Sequence, residues 1–473
     1  MTRKLLETEQ KALEINLNDK IYGAFAEIGA GQEVARYFFQ VGASSGTIAK
    51  TVSAYDKVVS DKIYGIEGTG RYVCEARVYK MLDHEYELME DRLDHERPDT
   101  SFFAFADTVS AINFTKTISG NGWLGIRFQL DPQGAPNDLV VHAKMLDNDN
   151  KLQQQAIGIL GVNMVYACYK YKDDPEVMLQ SLLDGLKGRL SIDMVRLTGP
   201  DFEEVDNRWL SLMLVKNGLT EVAIFDSEGH NIHASEFLYK KHVMIVRGSF
   251  RPATLVNMDM IKSGFSQFRK DFDVPSNKAY LLTEITLDNL TSEGELNEKD
   301  FLDRAELLCA MGQTVIISNC EKQQKLIDYL SDYKIQKLGL VLGVRELLNI
   351  MNDTYYDNQE KSLLAAFGSL FTQKVAYYIY PALQEGSGEV INCENLPIPE
   401  EIKFLYKHLL GSKQIKDING YNPDVLHIFS KQVLQMIEND EEGWERMVPT
   451  KVASLIKEKC LFGFPYQRME FEY

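Results

Sequence analysis

The hydrophobic rhythm of this chain changes twice. Up to residue 98, apolar residues recur three and four apart, as in "EVARYFFQV" and "RYVCEARVYKMLDHEYELMEDRL". That is the spacing of one helix face, and it predicts a helical N-terminal region over 1–98. From 99 to 385, β-branched runs alternate with helical periods. "FFAFADTVSAINF", "GWLGIRFQL" and "DLVVHAKML" read as strands joined by the turn-rich "SGNG" and "DPQGAPND", a local antiparallel arrangement. Helices follow at 151–169 and 175–187. Strand-like runs at 190–197, 220–226, 242–248, 279–287, 314–318 and 338–343 are then separated by amphipathic stretches such as "EKDFLDRAELLCAMG".

Near-continuous apolar strands alternating with helices predict an α/β fold with a mostly parallel sheet covered on both faces. A doubly wound, Rossmann-like sheet and a (β/α) barrel both satisfy this alternation. Beyond 385 helices dominate again, giving a helical C-terminal region over 386–473. It ends in Phe462, Phe464, Tyr466, Phe471 and Tyr473, an aromatic tail that calls for burial on its own core or on another subunit.

Two short segments break the rhythm. "DKIYG" occurs at Asp19–Gly23 and again at Asp61–Gly65, which suggests two related helical turns or a chance match. "GASSGTIAKT" has the look of a phosphate loop, but Ala49 stands where such a loop needs glycine before the lysine. It is read as a turn between helices.

Charge narrows the partners. The chain has 51 basic and 69 acidic residues, a net charge of −18, which disfavours nucleic acids and anionic membranes because both present phosphates. No apolar run approaches the about 18 residues of a membrane helix. The opening "MTRKLLETEQKALEINLNDK" has charges throughout and lacks the apolar core of a signal peptide. The six cysteines form no CxxC pair. A cytoplasmic protein with reduced thiols is the expectation.

Sites in parallel α/β folds gather at the carboxyl ends of strands, where side chains and helix N-termini converge. This rule selects Asp147 after "LVVHAKML", Asp206 and Arg208 after "IDMVRL", and Asp226 at the end of the 220–226 run. It also selects Arg247, Gly248, Ser249, Arg251, Thr254 and Asn257 after the 242–248 run. In one reading the arginines and turn amides hold an anion while the acids bind a metal or move protons. In the other, these residues cap helices and form turns. His142, inside a strand, reads as a satisfied core histidine. His230 and His233 in "DSEGHNIH" read as a surface turn, and no metal site is assigned.

The stretch "RGSFRPATLVNMDM", Arg247–Met260, resembles the first signature of nucleotidylyltransferases such as nicotinate-nucleotide adenylyltransferase. Gly248, Ser249, Phe250, Pro252 and Thr254 match that pattern. Arg251 replaces its aspartate, Val256 its later glycine and Asn257 its second histidine. The resemblance implies a nucleotide whose phosphate lies on the turn, with Mg²⁺ accompanying it. Asn257 donates a neutral hydrogen bond and cannot carry the charge that the histidine supplies. More broadly, "AFAEIGAGQEVARYFF", "KMLDNDNKLQQQAIGILGVN" and "WERMVPTKVASLIKEKCLFGF" are similar to an uncharacterised bacterial family. Its members are often labelled nicotinate-nucleotide adenylyltransferase or TonB-dependent receptor. The likeness covers nearly the whole chain. The receptor label requires long alternating strands that are not found here.

The expectation is therefore an α/β protein that binds a small, anionic, phosphorylated or nucleotide-like molecule at Arg247, Ser249, Arg251 and the turn amides, with any reaction a transfer. The alternative is a homo-oligomeric structural protein on an enzyme-like fold.

Overall fold

The computed structural model describes residues 3–68, 70–291, 294–352, 363–384, 386 and 388–465. The chain forms two compact units, Met1–Glu221 and Val222–Tyr473. The unit boundary thus lies at 221/222, not at 98 and 385.

Unit 1 contains strands β1 (Ile21–Gly29), β2 (Ile48–Ala54), β3 (Ser101–Ser110), β4 (Asn121–Phe128), β5 (Asn137–Met145) and β6 (Leu190–Thr198). Its helices are α1 (Thr8–Asn16), α2 (Val34–Gln40), α3 (Lys57–Tyr64), α4 (Glu75–Leu93), α5 (Asn150–Lys170), α6 (Pro175–Leu182) and α7 (Asn207–Lys216). The strands form one open sheet in the order β2-β1-β3-β4-β5-β6. β1 runs parallel to β2 and β3, and β3 to β6 form an antiparallel meander. The antiparallel part agrees with the hairpin signals in the sequence.

The pleat explains which side chains line each face. Ala24, Ala26, Ala104 and Ala106 face one way and pack with Val78, Met81 and Leu82 of α4. Phe25 faces the other way and stacks on Phe38 of α2 at 5.1 Å. Gly161 of α5 lets α2 approach, since a Cβ there would sit 2.4 Å from a Val34 methyl.

The helical N-terminal region is corrected, because β1 and β2 lie within it. "IYGAFAEIG" mixes the helix formers Ala24, Ala26 and Glu27 with two glycines and the strand formers Ile21, Tyr22, Phe25 and Ile28, so its local preference is weak. Burial as a central strand decides the outcome. The two "DKIYG" copies adopt different structures: the first leads into β1, whereas the second ends α3, with Gly65 at φ 80. "GASSGTIAKT" is a short turn entering β2, not a link between helices.

Unit 2 contains strands β7 (Val222–Phe225), β8 (His242–Arg247), β9 (Ala279–Thr286), β10 (Thr314–Ser318), β11 (Lys337–Gly343), β12 (Val375–Tyr380), β13 (Ala382–Leu383), β14 (Val390–Ile391) and β15 (Ile415–Asp417). Its helices are α8 (Ala234–Leu238), α9 (Leu255–Asp271), α10 (Leu287–Thr291), α11 (Glu298–Ala310), α12 (Gln323–Ser331), α13 (Val344–Ile350), α14 (Leu363–Leu370), α15 (Lys403–Gly411), α16 (Ser430–Glu438) and α17 (Thr450–Lys459).

The main sheet runs β15-β12-β11-β8-β9-β10-β7. All its pairs are parallel except β10 with β7. From β8, the chain builds outward through β9 and β10, then returns to the other side of β8 for β11, β12 and β15. This is the doubly wound order, and its direction reverses between β8 and β11. The ends of the sheet, β15 and β7, do not pair, so the barrel alternative is ruled out.

The region 386–473 is mostly helical but contributes β15 to this sheet. Its last helices enclose a separate core of Val433, Ile437, Trp444, Val452, Ile456 and Phe462. Phe464 packs against that core. Tyr466, Phe471 and Tyr473 lie outside the described residues. Among the described residues, no helix is long and apolar enough to cross a membrane.

Candidate functional site

The glycine turn selected from sequence lies where a doubly wound fold binds ligands: it follows β8, beside the reversal point, and opens α9. Its side chains, however, are engaged within the protein. Arg247 donates to both carboxylate oxygens of Glu284 at 2.8 and 3.0 Å, and to the backbone carbonyls of Cys320 and Glu321, each at 2.8 Å. Ser318 donates to the same carboxylate at 2.6 Å. Arg251 donates to Asp300 at 2.5 Å, and Arg304 reaches the other oxygen of Asp300. Arg304 also donates to the Ser249 carbonyl at 3.1 Å.

Two further features close the turn. Phe250 is buried at φ 49, and its ring folds back over Gly248, where a Cβ would lie 3.1 Å from the ring. A side chain at 248 would crowd that ring. At the start of α9, Thr254 and Asn257 form a capping box, each side chain bonding the other's backbone N–H. The Leu255 N–H donates to the carbonyl of Met447 at 2.9 Å, and Leu255 and Val256 pack on the C-terminal core. Asn257, at the position of the signature's histidine, therefore serves as a helix cap.

The remaining strand-end residues do not join this turn. Asp147, Asp206 and Arg208 belong to unit 1. Asp147 pairs with Arg189 at 2.8 Å. Asp206 caps α7 and pairs with Arg208 at 2.6 Å. Asp226, in unit 2, accepts the N–H groups of Glu228 and His230 in a tight turn, both at 2.9 Å. His142 is buried, its Nδ1 2.6 Å from Asp193, as a satisfied core histidine would be.

The cations available for a ligand lie further along α9. Lys262, Ser266, Arg269 and Lys270 border a cavity of about 500 Å³ whose apolar wall includes Ile261, Phe265, Val274 and Leu281. Positions 262, 266, 269 and 270 share one helix face by their spacing, and Asp273, just past the end of α9, lines the same cavity. Among the described residues, Lys262, Arg269 and Lys270 form no ion pair, and the Arg269 Nε is buried without a hydrogen-bond partner. A second cavity, of about 470 Å³, lies on the other flank of α9 and shares Lys262, Ser266 and Lys270. Its carboxylates are already engaged: Asp259 by Tyr380 at 2.6 Å, and Asp271 by Lys416 at 2.7 Å.

Sequence reasoning missed these cations because "IKSGFSQFRKDF" reads as an ordinary solvated helix face. It also missed a buried acid pair in unit 1. Glu27 of β1 and Asp107 of β3 are partners in register, at the end of the matching segments "AFAE" and "AFAD". Glu27 accepts the Val34 and Ala35 N–H groups at 2.7 and 3.3 Å. Burial pushes its carboxyl up to about 7. Burial and the neighbouring Glu27 raise the fully enclosed Asp107 as well. The signal was present, since an acid within an apolar strand is rare unless paired or protonated.

No family model and no curated protein matches this sequence. Solved structures with some likeness include the competence/damage-inducible protein CihA from Agrobacterium tumefaciens. It is 16% identical, with 35% of this chain and 98% of that chain covered at a TM-score of 0.25. A competence-damaged protein (CinA) superfamily member from Klebsiella pneumoniae is 12% identical, covering 34% and 98%, with a TM-score of 0.26. Another from Enterobacter cloacae is 11% identical, covering 38% and 99%, with a TM-score of 0.24. Likeness at this level assigns no residue and no reaction to this chain.

Proposed function

We propose that unit 2 binds a small anionic organic molecule, of the phosphate-ester class, against the outer face of α9. The carrying observation is that three cations without ion partners among the described residues outnumber one acid, Asp273, around one partly apolar cavity, in a chain of net charge −18. The cations would hold the anionic group and the apolar wall would take the organic body. The glycine turn holds α9 in place from beneath. A diphosphate or triphosphate would bring Mg²⁺ with it. The six free cysteines suit a reducing, cytoplasmic setting.

The second reading, homo-oligomeric assembly, draws on the loop between β3 and β4. Phe114 there is 102% exposed and Ile118 61% exposed, an apolar surface that a subunit contact would cover.

Calorimetric titration of the full chain with ATP, nicotinate mononucleotide and NAD, with and without Mg²⁺, tests the binding reading. Loss of one charge-assisted contact in Arg269→Ala should weaken binding about tenfold or more. Arg251→Ala should leave the affinity unchanged. If no ligand gives heat, or if Arg251→Ala abolishes binding while Arg269→Ala does not, this reading fails.

A further inference from the structure

Unit 1 has a cavity of its own, of about 640 Å³, at the opposite strand ends from Glu27. It lies where the chain enters β1 and β3, beside the C-terminus of α5. Two lysines, Lys20 and Lys172, and two acids, Asp99 and Asp131, line it together with Leu130 and Tyr169. None of the four charged groups is in an ion pair among the described residues. Elsewhere in unit 1, Arg3 and Lys11 share Asp184, and Arg127 bridges Asp83 and Asp138.

Tyr169 adds a second, independent observation. Its ring is fixed between Phe103 and Phe128, at centroid distances of 6.3 and 5.9 Å. Its hydroxyl is buried and has no hydrogen-bond partner. A buried polar group without a partner costs about 1–3 kcal/mol, and such groups need an explanation.

We infer that this cavity binds a zwitterion of the amino-acid or dipeptide class. A simple anion placed there would meet Asp99 and Asp131, and a simple cation would meet Lys20 and Lys172. A neutral molecule would pair with none of the four charges. A ligand with one ammonium and one carboxylate satisfies both pairs. Leu130 and the Tyr169 ring give an apolar side chain a surface, and the volume falls within the range of about 300–1,000 Å³ typical of small-molecule sites.

Calorimetry on the full chain with L-leucine, the dipeptide Leu-Leu and the doubly capped N-acetyl-leucine amide tests this inference. The capped compound keeps the apolar body and removes both charges. At least one zwitterion should bind saturably, and the capped compound about tenfold more weakly or not at all. Lys20→Ala/Lys172→Ala and Asp99→Asn/Asp131→Asn should each weaken the zwitterion by about tenfold or more. All four residues are exposed, so thermal melting should confirm that both double variants remain folded. Saturable binding that depends on both charge pairs upholds the site. The inference is overturned by the absence of saturable binding for both zwitterions, by equal binding of the capped compound, or by binding that persists in either double variant. A phosphate ester should not compete, since its proposed seat is on unit 2.

Discussion

Arg247, the last residue of β8, and Glu284 of β9 are partners in register, and a two-pronged ion pair joins their side chains. Glu284 is 0% exposed, so the pair stands at a strand end without being open to a ligand. Removing one partner would strand a buried charge. Arg247→Met is therefore expected to cost about 3–5 kcal/mol, and Arg247→Met/Glu284→Leu to regain most of that loss. Urea unfolding of the single and double variants measures both quantities. A single variant as stable as the parent would mean that the pair is not structural.

Asn257 should behave as a helix cap rather than a reacting group. Asn257→Ala is expected to lower stability by about 1 kcal/mol. Affinity for any ligand of unit 2 should stay as in the parent. A variant with unchanged stability and lost ligand binding would reverse this assignment.

The acid pair of unit 1 should make stability depend on pH. Folded, Glu27 holds its proton up to about 7, whereas its ordinary value is 4.5. Between these values the folded state binds more protons than the unfolded state, so stability falls as pH rises. The contribution is complete below about 4.5 and is lost as pH passes about 7. Asp107 shifts in the same direction. Denaturation of the parent and of Glu27→Gln at a series of pH values isolates this term. The variant should show a flatter slope across the window, and identical slopes would refute the assignment.

Gly31 packs directly on that pair. A Cβ at this position would lie 1.9 Å from an Asp107 carboxylate oxygen. Gly31→Ala should cost about 1–3 kcal/mol through overpacking. Adding Asp107→Ala should remove part of that cost, because the two sites touch. Additive losses in thermal or urea unfolding would show that the contact carries no strain.

The parallel core of unit 2 was legible because long apolar strands alternate with long helices. "TVIIS" at 314–318 was read to the residue, and β7, β8, β9 and β11 to within about two residues, the usual uncertainty of element ends, whereas β15 fell in the region read as helical. The N-terminal strands were not legible, since "GAFAEIG" has mixed local preference and flanking runs with helical spacing, and its strand is fixed by pairing between β2 and β3. Site reading met a different limit. Local sequence shows an arginine after a strand, but not that Glu284, Ser318 and Asp300 converge on that arginine and its neighbour. The cations of α9 became visible only with the knowledge that none of the three is ion-paired among the described residues.

The Leu255–Met447 hydrogen bond also bears on how the polypeptide matures. A ribosome delivers β8, β9 and β10 well before Met447. Until that later carbonyl emerges, the first turn of α9 keeps an unpaired amide and an uncovered apolar flank. Covering the start of α9 therefore waits on a contact distant in sequence, a non-local closure of the kind that slows folding.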